Sequence, residues 1–266
     1  RDALTTLDER FLSSYGVLAG LGRVDSERVP IPNTAIMAVN PDQWRIISEA
    51  CFGYLWNRPG LTGRQRSLIT MSGLVVLRRD DNLHGHLLSG LDMGFSPEQI
   101  NEIFLHLIFY VGAPMVNTAT RVAWDVYQER GLTLEPFQVF DTTETPDALY
   151  QRGLSIRSQV LGDGDGGSFD QSDSVDADWD RYLLEYLWGS VWGRPGLDLQ
   201  ERCICTLTAM VGHGTDDAIR DYVGGALRLG LSAASVREIM FHLSFYIGDS
   251  QARRGKALAE EVIAAQ

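Results

Sequence analysis

One pattern of residues occurs twice in this chain, and that repetition constrains the fold more than any other feature. Trp56-Asn57-Arg58-Pro59-Gly60-Leu61 returns as Trp192-Gly193-Arg194-Pro195-Gly196-Leu197. Glu102-Ile103-Phe104-Leu105-His106-Leu107-Ile108-Phe109-Tyr110-Val111-Gly112 returns as Glu238-Ile239-Met240-Phe241-His242-Leu243-Ser244-Phe245-Tyr246-Ile247-Gly248. Both matches hold at one constant offset. Between them Arg66, Asp80, Asp81, Leu91 and Gly94 meet Arg202, Asp216, Asp217, Leu227 and Gly230, so roughly a third of the positions in this stretch are identical without a gap. Tandem duplication is the economical explanation, and the positions where the copies differ are the ones to search for chemistry.

The repeats read as helices. Gln43 to Leu55 is apolar at helical spacing, Trp56 to Gly63 is a Pro/Gly turn, and Arg64 to Leu77 is a long apolar helix. Leu83 to Met93 follows, closed by Gly94. Ser96 is the N-cap and Pro97 the first residue of a helix to Val111; a Gly-Ala-Pro break then precedes a helix from Met115 to Arg130. No stretch alternates as a strand does, so the expectation is an all-α fold built twice. A lead-in over residues 1–40, with two helical stretches and the Pro-broken segment Val29 to Asn33, precedes repeat one at 41–131. Residues 132–176 form a linker and second lead-in, and repeat two occupies 177–266. The run Gly162-Asp163-Gly164-Asp165-Gly166-Gly167-Ser168 reads as a flexible loop. Its aspartates lack the terminal bidentate Glu of a calcium loop.

A net charge of −12 argues against binding nucleic acid or an anionic membrane surface. No apolar run is long enough to span a bilayer, and the N-terminus lacks a signal-peptide pattern. The chain begins at Arg1 rather than Met, which leaves room for a removed leader. Cys51, Cys203 and Cys205 make no disulfide framework, which fits a reducing, cytoplasmic setting. Lys256 is the one lysine, poorly placed for Schiff-base chemistry.

With the repeat unit in hand, the residues resemble the carboxymuconolactone decarboxylases and their alkylhydroperoxidase-D-like relatives. Trp188-Gly189-Ser190-Val191-Trp192-Gly193-Arg194-Pro195-Gly196-Leu197 is similar to the family's Trp-Gly-x-x-Trp-x-Arg-Pro-Gly-Leu. Arg152-Gly153 and Val160-Leu161-Gly162-Asp163 resemble its lead-in, and Glu102 to Gly112 with Pro114 its Glu-x3-His-x3-Tyr-x-Gly-x-Pro. The resemblance covers about two thirds of the chain. It implies two tandem alkylhydroperoxidase-D-like helical repeats and a homo-oligomer, a trimer or dimer of tandem chains. It also implies no metal or organic cofactor. The thiol chemistry of the peroxidase branch does not carry over. Aligning that branch's His with His86 puts its Glu on Ser67 and its Cys-x-x-Cys pair on Arg79 and Asn82. Cys203 and Cys205, two residues apart on a helix, point apart and do not readily pair.

Decarboxylation of a carboxylated lactone needs a cation for the acid, a group to stabilise developing negative charge, and an acid to reprotonate carbon. Repeat one offers His86, tunable near neutral pH, as proton donor, with His106 and Tyr110 one helical turn apart on one face. Arg58 and Arg66 suit a carboxylate; Trp56, Glu102 and Tyr222 complete the candidate substrate-binding set. Each has a plainer reading. Arg58 and Arg66 recur in both copies and could tie the Pro-Gly turn to Glu102. Glu102, His106 and Tyr110 recur in a copy without His86, as residues serving folding or subunit contact would. His84 and His86 have metal-like side chains, yet i and i+2 on a helix diverge. His86 stands apart because repeat two replaces Asn82, His84 and His86 with Ala218, Arg220 and Tyr222. One active pocket per chain is therefore expected, with Tyr222 able to lend a hydroxyl to it. The reading is a cofactor-free lyase or isomerase acting on a small-molecule carbon acid, in the style of secondary-metabolite tailoring. A non-catalytic binding or assembly protein and an oxidative or hydrolytic enzyme on the same scaffold are the alternatives.

Overall fold

The computed structural model describes residues 6–23, 34–135, 137–162 and 174–265. Among them the chain is all-α, with no strand. Val29 to Asn33, and the glycine-aspartate loop from Asp163 to Ser168 with its weighed calcium reading, lie outside the described residues.

A lead-in helix α1 (Leu7–Gly20) and the short α2 (Thr34–Val39) precede repeat one. That repeat comprises α3 (Pro41–Ile46), which widens into a π-helical segment at Ile47–Leu55, then α4 (Gly63–Val76), α5 (Asp80–Asp92), α6 (Pro97–Val111) and α7 (Ala113–Glu129). The second lead-in helix is α8 (Pro146–Leu161). Repeat two follows as α9 (Val175–Tyr182) with a π-helical segment at Leu183–Trp192, α10 (Leu199–His213), α11 (Asp216–Arg228), α12 (Ala233–Ile247) and α13 (Asp249–Ala264).

Local chemistry sets most boundaries. Ser96 Oγ accepts from Gln99 N–H while the Gln99 side chain returns to Ser96 N–H, a reciprocal cap with Pro97 at the first helical position. Thr62 with Gln65 and Asp198 with Glu201 cap α4 and α10 in the same way. α5 begins three residues before its apolar pattern, because Asp80 and Asp81 favour the positive end of a helix. The Gly-Ala-Pro break is narrower than its residues suggest: Gly112, at φ +86°, makes the whole bend and Pro114 already lies in the first turn of α7.

The segment expected as one helix from Gln43 to Leu55 changes pitch at Ile47, and Trp56 N–H reaches back to Cys51 C=O at 2.9 Å. The wider coil comes with backbone contact against the lead-in helix. A Cβ on Gly53 would stand 2.0 Å from the Arg10 carbonyl oxygen; on Gly189, 2.2 Å from that of Leu149; on Gly153, 2.0 Å from that of Leu184. Only glycine admits such an approach.

The repeats interlock. α4 lies against α10, α12 also packs on α4, and α6 on α10. One continuous apolar core runs through both copies, from Leu68 and Ile69 to Leu258 and Ala259. A smaller cluster of Leu18, Leu21, Cys51, Phe52 and Trp56 sits under α1.

Candidate active site

Because α12 packs on α4 and α6 on α10, each site is assembled from both repeats. The first takes Cys51 from the π-helical segment and Trp56 from its end, Arg58 from the Pro-Gly turn, Arg66 and Thr70 from α4, and His86 from α5. Repeat two contributes Glu238, His242 and Tyr246 from α12. Arg58 clamps Glu238, with Nε 2.8 Å from Oε2 and Nη2 paired to Oε1. Arg66, 1% exposed, donates to Arg58 C=O at 2.7 Å and lies 3.8 Å from Glu238. It also donates from Nη1 to His242 Nδ1 at 3.1 Å, and His242 Nε2 is 2.9 Å from Thr70 Oγ1. Trp56 Nε1 donates to Tyr246 Oη at 2.9 Å. Gly60, at φ +98°, completes the clamp: a Cβ there would lie 2.9 Å from Glu238 Cγ.

The second site repeats this with the partners exchanged. Arg194 and Arg202 hold Glu102, at 2.8 and 2.9 Å, and Arg202 also donates to Arg194 C=O at 2.9 Å. His106 Nε2 lies 2.7 Å from Thr206 Oγ1, and Trp192 Nε1 donates to Tyr110 Oη at 2.9 Å.

This geometry corrects the grouping expected from sequence. His86 does not share a site with His106, Tyr110, Glu102 or Tyr222; those four belong to the second site. Trp56, Arg58 and Arg66 do share the first site with His86, but the two arginines are engaged with Glu238 rather than Glu102. The physical reason is the interlock: the Glu-His-Tyr helix of each repeat crosses to the Arg-Pro-Gly turn of the other. Tyr222 therefore lends its hydroxyl to Tyr110, at 2.9 Å, and stacks on Trp192 with rings 6.2 Å apart and 7° from parallel. His84 points outward to Glu129, at 2.9 Å. Among the described residues no three His, Cys, Asp or Glu side chains form a metal-holding group.

His86 faces a cavity of about 410 Å³ whose polar lining is Arg23, Arg79, Asn82, Cys51 and Tyr246. Arg79, Asn82 and His86 stand at helical spacing on or beside α5, so they present to one side. Trp44, Phe52, Leu74 and Phe245 supply apolar wall. The His86 ring stacks on Trp56, at 6.4 Å and 15°, and meets Tyr246 edge-on at 6.0 Å. Sequence reasoning missed Arg23. It lies in the lead-in beyond α1, outside the duplicated stretch, where Nε donates to Ser89 Oγ at 2.9 Å. Tyr246 was visible only as the copy of Tyr110.

Burial dominates the electrostatics. It holds the His86 imidazole well below its ordinary pKa, with Arg23 and His242 acting in the same direction, so the ring is neutral at neutral pH. The same cause pushes the Cys51 thiol up to about 12 and the Tyr246 phenol well above its usual value. Cys51 is a thiol rather than a thiolate, and Tyr246 keeps its proton.

The model of the carboxymuconolactone decarboxylase family matches the chain twice, at residues 41–125 and 177–261. The chain belongs to that family. It is 35% identical over 96 residues to 4-carboxymuconolactone decarboxylase of Acinetobacter baylyi, a match covering 36% of this chain and 72% of that protein. It is 28% identical over 101 residues to nitrosuccinic acid decarboxylase npaB of Metarhizium robertsii, covering 38% of this chain and 71% of that protein. As a tandem member of the carboxymuconolactone decarboxylase family it falls among proteins of lyase type. Among the described residues no helix is long and apolar enough to cross a membrane.

Proposed function

We propose that this chain is a decarboxylase-like carbon–carbon lyase, acting by acid–base chemistry on a carboxylated carbon acid bound in the His86 cavity. The observation that carries the reading is the sharing of one cavity, half polar and half apolar in its lining, by a neutral imidazole, a guanidinium and a phenol. Both relatives named above are decarboxylases, on different acids, which supports the reaction type and leaves the substrate to the cavity.

The chemistry required is R–CO2⁻ + H⁺ → R–H + CO2. Arg23 supplies the fixed positive charge for a carboxylate. The aromatic wall disfavours a localised anion, so loss of CO2, which disperses charge into an adjacent carbonyl, relieves a desolvated carboxylate. The proton comes through His86. Its ring enters neutral, held so first by burial and then by Arg23 and His242; an anion brought against Arg23 offsets that second cause and favours proton uptake by the ring. The imidazolium then stands ready to protonate carbon.

The test measures CO2 release and thermal stabilisation for the wild type and His86→Ala with carboxylated lactones and β-keto acids. Release by the wild type that falls by about a hundredfold or more in the variant is expected for a lost general acid. Turnover that survives His86→Ala would remove His86 from the mechanism. Absence of both release and stabilisation across the panel, with equal melting of the two proteins, would turn the reading towards a non-catalytic assembly role.

A further inference from the structure

A chain of hydrogen bonds runs behind the cavity, and its direction is fixed at its first member. Arginine only donates, so the contact from Arg66 Nη1 makes His242 Nδ1 an acceptor. Desolvation and the Arg66 charge hold that ring neutral, so its proton is on Nε2 and is donated to Thr70 Oγ1 at 2.9 Å. Trp56 Nε1, a donor only, reaches Tyr246 Oη at 2.9 Å. With that donor on its oxygen, the phenol's own proton points at Cys51 Sγ, 3.5 Å away, and at the cavity. A thiol is a weak acceptor that a ligand oxygen readily outcompetes.

The second site supplies an internal comparison. There His106 Nε2 pairs with Thr206 Oγ1, and Tyr110 Oη receives Trp192 Nε1 while His106 Nδ1 has no partner. Tyr110 Oη in turn lies 2.9 Å from Tyr222 Oη. Tyr222 is the counterpart of His86, and the two rings stack on their tryptophans in the same manner. The imidazole is shorter than the phenol, so it does not supply the oxygen that Tyr222 does. In the first site both His86 and Tyr246 face the cavity instead.

We infer that Tyr246 is the oxyanion donor of the site. Its hydroxyl binds the ligand oxygen on which charge develops, at the place that Tyr222 Oη takes in the second site. Trp56, which donates to the Tyr246 oxygen, acts through it as a positioning residue. The ligand class this selects is a carboxylate bearing an enolisable or phenolic oxygen on a flat ring, matched to Trp44, Phe52 and Phe245. The inference rests on the cavity being the reaction site proposed above.

The probe is 4-nitrophenol, whose anion is yellow and whose neutral form is not. It is titrated into the protein at a pH where the free probe is mostly protonated, and thermal melts are followed in parallel. Wild-type protein is expected to gain thermal stability and to develop the yellow band. Tyr246→Phe, which keeps the ring, should bind the probe with its preference for the anion reduced about tenfold or more. Stabilisation of the wild type without the yellow band, or an equal band in Tyr246→Phe, would overturn the oxyanion role and leave the cavity reading standing. Neither stabilisation nor colour with the wild type would take down both.

Discussion

Three histidines are buried in this protein, and all three are held neutral, by desolvation first and then by neighbouring cations. Their consequence for stability has a definite sign. Each has a folded-state pKa depressed below 6.5. As pH falls below that value the unfolded chain takes up protons that the folded chain does not, so stability is full above it and is lost below it. Each group contributes a slope of up to about 1.4 kcal/mol per pH unit, hence about 4 for the three together. Denaturant midpoints taken from about pH 7 down to about pH 5 should show this loss, and His86→Gln should remove roughly a third of the slope. An unchanged slope would mean that His86 takes up its proton at the same pH in the folded and unfolded chain. At this scale the sequence was informative where the copies differ. His86 against Tyr222 was the contrast that led to the cavity. Arg23 was not legible, because it lies outside the duplicated stretch and its place depends on where α1 ends.

Helices and turns were legible because each follows from local chemistry: Ser96 and Pro97 start α6, and Gly94 closes α5. Which helix meets which turn was not. Both copies contain both motifs, so spacing along the chain is equally compatible with pairing inside a repeat and pairing across repeats. Packing decides for the crossed arrangement, in which Arg58 meets Glu238 and Arg194 meets Glu102. The crossed carboxylates carry a measurable load. Glu102→Ala leaves Arg202, which is 0% exposed, without its anion and should cost about 3–5 kcal/mol by chemical denaturation. A cost under about 1 kcal/mol, as for a surface pair, would contradict the clamp. The π-helical segments were missed because apolar spacing does not report helical pitch. Their close approach to the lead-in helices separates two glycines on neighbouring elements. Gly53→Ala, with a Cβ 2.0 Å from the Arg10 carbonyl oxygen, should destabilise by about 3 kcal/mol. Gly16→Ala, which meets nothing within 4 Å in the interior of α1, should stabilise by about 0.5–1 kcal/mol.

On the scale of the molecule, duplication and interlock together explain how one copy of a site could change without loss of the other. A single core spans both repeats, so the residues of each site also tie the repeats together. The Arg-Glu clamps and the His-Thr pairs are present in both sites. What differs is the residue facing the end of the donor chain: a short imidazole beside a cavity in one site, a phenol 7% exposed and stacked on Trp192 in the other. Tyr222 thus fills with its own ring and oxygen the place where the first site meets its ligand. The stoichiometry follows. Calorimetric titration with 4-nitrophenol should give one ligand per wild-type chain. Tyr222→Ala removes the filling ring, at a cost of about 3–5 kcal/mol in stability. It leaves Tyr110 Oη with the donor Trp192 Nε1 and with its own proton free for a ligand. That variant should titrate to two ligands per chain, with the added site the weaker. Two sites in the wild type would mean that Tyr222 moves aside for a ligand. One site in the variant would mean that the core collapses into the space instead, leaving the second copy a structural counterpart that no single change reopens.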